Sequence, residues 1–269
     1  MLDVLHTVLN VGLEKPVRLL HVTDIHITEV SPIDETWQQE LMRERAEVFI
    51  KEGNYPENTP EEYFKEAIAL AKELDATLVV TGDAYDVYTE GNLKKFKEII
   101  RGEDMMFTPG GHEYQKQIVR TLEEPNGYGA KMEAQLKVQI DEFDIDFEVR
   151  TINGVNIITA NNALDYFPEY TVNRFEETLK NGLPTAVFFH DPLDDRLLNV
   201  TEAYHPNVKI TKEEYLVSHR MINTLKHSPQ IISTFSGHHH TSREYLCDQK
   251  THYVTGGLFK GACRLIELK

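Results

Sequence analysis

Cysteine and long apolar runs are both scarce in this sequence. Cys247 and Cys263 are the only cysteines among 269 residues, which argues against a disulfide framework and predicts two free thiols. No apolar run approaches the roughly 18 residues needed to span a membrane. The N-terminus also lacks the basic start and long apolar stretch of a signal peptide. These absences predict a soluble, cytoplasmic protein that does not enter a membrane.

Positive charge is in short supply as well. Lysine and arginine number 28 against 44 aspartates and glutamates, which gives a formal net charge of -16. Such a surface repels a nucleic-acid backbone, so a DNA or RNA polymer is not expected as a partner. Divalent cations held by aspartates would cancel part of this charge and attract a small anionic substrate.

The composition is that of a folded protein, with 41% hydrophobic and 27% charged residues. No tract rich in glycine, serine or proline divides the chain, so residues 1–269 are predicted to form a single domain. Residues 27–58 are the least regular part, because they are polar and have prolines near both ends. A helix is predicted at 34–50, and two alternatives stay open for the whole segment: a cap over a site or a solvated connection.

Short apolar runs recur along the chain, each followed by polar residues or glycine. Their length and composition are typical of buried strands that end in loops. The runs are VRLLHV, TLVVTG, MMFTPGG, VNIITANN, TAVFFHD and IISTFSG. Helical patterns lie between several of them, and the clearest begins at Thr59 as N-cap with Pro60 in the first turn. Helices and strands therefore alternate.

Residues 136–160 have a different pattern. Apolar and polar side chains alternate there, and Asn153-Gly154 has the composition of a tight turn, which predicts an antiparallel hairpin. Together these patterns predict an α/β chain of the α+β type, with one mixed sheet or two packed sheets.

Aspartates follow the first two apolar runs. Asp24 and His26 come directly after VRLLHV, and in extended chain side chains two apart point the same way, so both could bind one cation. Asp83 and Asp86 follow TLVVT, and a carboxylate such as Asp83 has enough lone pairs to bridge two metal ions. Taken alone, each motif also fits an ordinary polar loop or a helix cap.

Histidines follow the later runs. His112 lies in a glycine turn after MMFT, His190 ends TAVFFH, and His238 and His240 follow IISTFSG. Imidazole is the commonest nitrogen ligand of Zn, Fe and Mn class metals. Because α/β sheets bind ligands at the carboxyl ends of their strands, five successive strands ending in Asp or His predict one shared metal site.

The ordered set Asp-x-His, Gly-Asp-x-x-Asp, Gly-x-His-Glu, His and Gly-His-x-His resembles the calcineurin-like metallophosphoesterase family over nearly the whole chain. The resemblance implies a four-layer α-β-β-α sandwich of two mixed sheets flanked by helices. It also implies an enzyme that hydrolyses phosphomonoesters or phosphodiesters, in which a hydroxide bridging two metal ions attacks phosphorus in line. The metals would be two divalent or mixed-valence ions of Mn, Fe or Zn.

The resemblance also assigns roles to individual residues. His112 would stabilise the transition state or protonate the leaving oxygen, and Asp86 would orient it. Glu113 would be a turn residue or a support behind the ligands. His239 is left outside the metal site, because in extended chain it would point away from His238 and His240. The first metal would be held by Asp24, His26, Asp83 and His240, and the second by Asp83, His190 and His238.

The sequence departs from the family pattern at Gly111, where the family has an asparagine that binds the second metal. Water, Asn161 or Asn162 could fill that position, and the second metal is expected to bind weakly. The departure supports an alternative function, a scaffold or binding protein of the same fold with impaired catalysis. A nuclease would need a basic track for its polymer, which the acidic composition disfavours.

Overall fold

The first of two sheets contains the N-terminal and C-terminal strands. The computed structural model describes residues 1–53, 58–115, 128–193 and 212–269. The five-stranded sheet has the order β1-β11-β2-β3-β4. Strand β11 runs antiparallel to β2, whereas the remaining pairs are parallel. The strands are β1 (Asp3–Leu9), β2 (Val17–Val22), β3 (Thr77–Thr81), β4 (Met105–Thr108) and β11 (Ala262–Leu268).

The second sheet has six strands in the order β5-β6-β7-β8-β10-β9. Its central pairs are parallel, and antiparallel pairs close both edges. The strands are β5 (Phe147–Ile152), β6 (Val155–Ala160), β7 (Thr185–Phe188), β8 (Ile231–Ser236), β9 (Arg243–Cys247) and β10 (Lys250–Val254). All six apolar runs identified in the sequence form strands.

Six helices accompany the sheets in the described parts of the chain. The N-cap expected at Thr59 is present, because its side chain accepts a hydrogen bond from the Glu62 N–H and Pro60 opens the helix. The helices are α1 (Thr36–Glu52), α2 (Pro60–Glu73), α3 (Glu90–Ile100), α4 (Tyr128–Gln139), α5 (Glu169–Leu179) and α6 (Lys212–His227). None of these described helices is long and apolar enough to cross a bilayer.

Three hydrophobic clusters separate the layers. The middle cluster joins the facing sides of the two sheets, with Leu19 and Ile266 on one side and Phe188 and Phe235 on the other. A second cluster packs α2, α3 and α4 against the first sheet, and a third packs α5 and α6 against the second sheet. The arrangement is therefore helix, sheet, sheet, helix, as expected.

The hairpin prediction is correct only in its second half. Strands β5 and β6 pair antiparallel across a turn at Asn153-Gly154, where both residues have left-handed φ angles of 47° and 84°, as a type I′ turn requires. The first residues of the proposed segment belong to α4 instead, and Leu136 and Ile140 are buried against the first sheet. Their spacing of four fits one face of a helix as well as one face of a strand.

Candidate metal centre

The loops that follow the parallel strands of both sheets meet at one end of the sandwich. Asp24 follows β2, Asp83 follows β3 and Gly110 follows β4, while His190 and His238 follow β7 and β8 of the other sheet. The His190 Nδ1 lies 2.7 Å from the Thr81 carbonyl oxygen, which ties the two sheets together at this point. All the predicted ligands are therefore brought to one place.

Four side chains form the first cluster, in which one ligand atom from each residue lies within 4.8 Å of the others. They are Asp24, His26, Asp83 and His240. The His240 Nε2 is 3.2 Å from Asp24 Oδ1 and 3.1 Å from His26 Nε2. Asp24 and His26 are completely buried, whereas the His240 side chain is 31% exposed, so the cluster is open to solvent on the His240 side.

The second cluster shares one carboxylate with the first. Asp83, His190 and His238 also present ligand atoms within 4.8 Å of one another, and His190 Nε2 lies 3.2 Å from Asp83 Oδ2. Asp83 thus lies between the two groups, as a bridging residue must.

The backbone at this site is unusual. Five of the six predicted ligands have left-handed φ angles: Asp24 (52°), His26 (56°), Asp83 (50°), His238 (70°) and His240 (53°). Residues other than glycine rarely adopt this conformation, which costs on the order of 1 kcal/mol per residue. Contacts with the surrounding structure must offset this cost. The expectation that Asp24 and His26, and His238 and His240, lie in extended chain was therefore wrong. Asp24 and His26 nevertheless join one cluster, while His240 and His238 belong to different clusters.

Three of the four histidines in these clusters have Nδ1 close to an acceptor behind the site. His26 Nδ1 is 3.2 Å from Asp86 Oδ1, His190 Nδ1 is 2.7 Å from the Thr81 carbonyl oxygen, and His238 Nδ1 is 3.3 Å from Asp191 Oδ1. Such partners fix the tautomer and leave Nε2 available to a metal.

Two buried atoms at the centre provide a test of whether a metal fits. Asp24 Oδ1 and His190 Nε2 are inaccessible to solvent, and neither makes a hydrogen bond of good geometry with the described residues, although His240 Nε2 and Asp83 Oδ2 respectively lie 3.2 Å away. Buried polar atoms of native proteins are nearly always satisfied. A cation at each cluster would satisfy both, so the donor set fits metal ions.

A protein-family model matches the part of the chain that contains both clusters. Residues 17–242 match the model of the calcineurin-like phosphoesterases. The chain belongs to this family. It is a phosphoesterase, a hydrolase that acts on phosphoric ester bonds. The match spans every cluster residue described above.

Comparison with solved structures gives several distant matches. Phosphopantetheinyl hydrolase from Mycobacterium tuberculosis is 13% identical, with 90% of each chain covered and a TM-score of 0.45. A putative 5'-nucleotidase from Staphylococcus aureus is 10% identical, over 91% of this chain and 49% of that one, with a TM-score of 0.45. GAP50 of Plasmodium is 14% identical, over 90% and 71%, also at 0.45. No curated protein matches the sequence, and none of these three structures informs the substrate of this phosphoesterase.

The charges at the site favour ionised carboxylates. Burial alone raises the pKa of Asp83, but His190 and His112 outweigh it and hold that pKa well below its usual range. Burial likewise raises the pKa of Asp24, while His240 and His190 lower it further than burial raises it. Both aspartates are therefore in the form that binds cations.

His112 lies at the edge of both clusters, with its side chain 22% exposed. Its Nδ1 donates to the backbone carbonyl of Asp86 and lies 3.4 Å from Asp86 Oδ1, and its Nε2 is 3.9 Å from Asp83 Oδ2. Burial lowers the pKa of His112, but Asp83 and Asp86 raise it overall, to about 10. The two neighbouring carboxylates thus favour the protonated form of the ring.

Glu113 has a larger part in the site than the sequence indicated. Its carboxylate is fully buried and accepts hydrogen bonds from the backbone N–H groups of Asp83 (3.0 Å), Ala84 (2.6 Å) and Gly110 (2.7 Å). Burial and the neighbouring charge of Asp83 raise the pKa of Glu113 to about 7. One side chain therefore fastens the loop after β3 to the loop after β4.

Gly111, the position at which the family has an asparagine, has space around it for a side chain. A Cβ added to Gly111 would meet nothing closer than 3.6 Å. Asn162 accepts from the backbone N–H groups of His190 and Asp191, and Asn161 donates to the Tyr114 hydroxyl and accepts from the Ala163 N–H. Both amides are therefore engaged with other protein groups and are not replacement ligands in this structure.

Helix α1 packs against the site, and sequence reasoning did not find this. The Phe49 ring stacks on His26 at 4.7 Å, and Arg45 forms two hydrogen bonds with Asp86. Both residues lie within residues 27–58, a segment predicted to be either a cap over a site or a solvated connection. The helical spacing of Met42, Arg45 and Phe49 was the one available signal, and it does not indicate what the helix faces.

Proposed function

We propose that this phosphoesterase uses two metal ions to hydrolyse small phosphomonoesters or phosphodiesters. The observation that carries the proposal is the pair of ligand clusters joined by Asp83. The first metal would be held by Asp24, His26, Asp83 and His240, and the second by Asp83, His190 and His238. Nitrogen and oxygen donors without thiolate suit Mn, Fe or Zn.

When bound, such ions lower the pKa of water and neutralise negative charge on the phosphoryl oxygens. The protein supplies the remaining functions. His112 holds its Nδ1 proton against the Asp86 carbonyl, so its Nε2 faces the carboxylates and the incoming ester. From that side it donates a proton to the leaving oxygen. The acidic composition favours a small substrate over a nucleic-acid polymer.

The direct test of this function is substitution of the shared carboxylate. Asp83→Asn should lower metal-dependent hydrolysis of an aryl phosphate, or of its diester, by at least about 1000-fold, because one ligand of both ions is lost. Asp75→Asn is the matched control, since Asp75 also has a left-handed φ of 49° and is exposed in a turn. Equal activity of the two variants would contradict the two-metal function.

Gly111 supports a second candidate, a scaffold that retains the fold but turns over poorly. The second cluster has three protein ligands, and the two nearby asparagines are engaged elsewhere. Gly111→Asn adds an amide where the structure has room for a Cβ. A scaffold should gain bound metal without gaining rate, whereas an enzyme with a weak second site should gain both. Metal analysis together with steady-state kinetics separates the two.

A further inference from the structure

Arg45 forms a bidentate ion pair with Asp86. Its Nε donates to Asp86 Oδ2 at 2.6 Å and its Nη2 donates to Oδ1 at 3.0 Å. The Asp86 carboxylate is completely buried, whereas the Arg45 side chain is 23% exposed. A bidentate pair fixes the plane of a carboxylate as well as its charge. The orientation of Asp86 is therefore set from α1.

The same carboxylate faces two imidazoles on its other side. Asp86 Oδ1 lies 3.2 Å from His26 Nδ1 and 3.4 Å from His112 Nδ1. One ring belongs to the first ligand cluster and the other is the proposed proton donor. Rotation of the Asp86 carboxylate would break its contact with His26 and move its charge away from the His112 ring, whose Nδ1 also donates to the Asp86 backbone carbonyl.

Helix α1 holds His26 at a second point. The Arg45 guanidinium lies 4.9 Å from the centre of the Phe49 ring one turn further along the helix. That ring in turn stacks on His26 at 4.7 Å with an interplanar angle of 20°. His26 is therefore held on its ring face by Phe49 and at its Nδ1 by Asp86. Helix α1 is a built part of the site, not a solvated connection.

We propose that Arg45 is a positioning residue of this phosphoesterase: through Asp86 it orients both His112 and His26. The proposal rests on the proposed two-metal function for its kinetic part. Supporting partners behind metal ligands typically contribute about 10- to 100-fold in affinity or activity. Arg45 does not touch the substrate in this account, so its loss should act on kcat and on metal binding and leave KM nearly unchanged.

The test compares Arg45→Gln and Arg45→Lys with the matched control Arg43→Gln. Arg43 is exposed on the same helix, and its substitution by glutamine removes the same charge. Arg45→Gln should lower kcat on an aryl phosphate by about 10- to 100-fold and weaken Mn²⁺ binding by a similar factor. Arg45→Lys keeps the charge but not the two guanidinium donors that bind both Asp86 oxygens, so it should recover only a minor part of the loss. Arg43→Gln should match the wild type in every measurement.

Two further measurements separate positioning from a general loss of structure. In an Asp86→Asn background the kcat effect of Arg45→Gln should shrink to about twofold, because the two residues act in series. The melting temperatures of Arg45→Lys and the wild type are compared to show that the lysine variant is folded. An Arg45→Gln variant with Mn²⁺ affinity and kcat within about twofold of Arg43→Gln, or full recovery by Arg45→Lys, would overturn the proposal.

The outcome is separable from that of the proposed function. A wild-type protein that hydrolyses neither ester would contradict the enzymatic function, and Mn²⁺ titration of the same variants would still decide the role of Arg45. An active wild type with unaltered Arg45→Gln would contradict the positioning role alone.

Discussion

Gly110 packs tightly against two residues of the proposed metal centre, and it allows a sharp steric test. A Cβ built on Gly110 would lie 2.3 Å from Asp83 Oδ1 and 2.7 Å from His190 Cε1. The Gly110 φ and ψ are −107° and −172°, which any residue can adopt. An alanine there is therefore excluded by the site itself and not by its own backbone.

The size of the effect follows from the distances. Restoring an ordinary contact of about 3.4 Å requires Asp83 or the loop after β4 to move by about 1 Å. A misplacement of this size in a catalytic site costs about 100-fold in rate. Overpacking of this kind also destabilises a protein by about 1–3 kcal/mol. Gly110→Ala should thus lose about 100-fold in kcat/KM together with measurable stability.

Gly111→Ala is the natural control, because its added Cβ meets nothing closer than 3.6 Å. Its kcat/KM should stay within about twofold of the wild type, and its stability should be unchanged or raised by up to about 1 kcal/mol. The assays are metal-dependent hydrolysis of an aryl phosphate and urea unfolding. If Gly110→Ala behaved like Gly111→Ala in both, the close packing of Gly110 against Asp83 and His190 would have no part in function.

Two further predictions concern stability. His21 is buried between the Thr81 and Thr255 hydroxyls, and burial together with Arg264 lowers its pKa to about 3. Because this folded-state pKa is below the unfolded value of about 6.5, the unfolded chain binds a proton at His21 before the folded protein does as the pH falls. The free energy of unfolding is therefore unaffected by this titration above about pH 6.5 and decreases as the pH falls towards 3. From pH 7 to pH 5 the loss is about 2 kcal/mol. Urea unfolding of the wild type and His21→Gln at both pH values checks this, and equal pH dependence of the two would contradict it. Mn²⁺ at about 100 times its dissociation constant should raise the free energy of unfolding by about 2.7 kcal/mol per site. Calorimetric melting should show this shift in the wild type, largely absent in Asp83→Asn; the same shift in both proteins would argue against the shared carboxylate.

Much of the fold was predictable because its signals are local. Six apolar runs were sufficient to locate β2, β3, β4, β6, β7 and β8, and the Thr59 cap depends on a contact three residues along the chain. Where a local pattern fits two structures, as at residues 136–140, the prediction was wrong. The spacing of apolar side chains there suits a helix face as well as a strand face, and packing of α4 against the first sheet decides between them.

The sequence by itself indicated which residues could form the proposed metal centre, because Asp and His follow strand ends and the parallel strands of one sheet end at the same edge. Only the tertiary structure decided how they are held. The left-handed backbone at Asp24 and Asp83, the three N–H groups bound by Glu113 and the pairing of Arg45 with Asp86 all depend on contacts between distant segments. Such contacts have no local signature, since each partner taken alone is compatible with an ordinary solvated loop or helix surface.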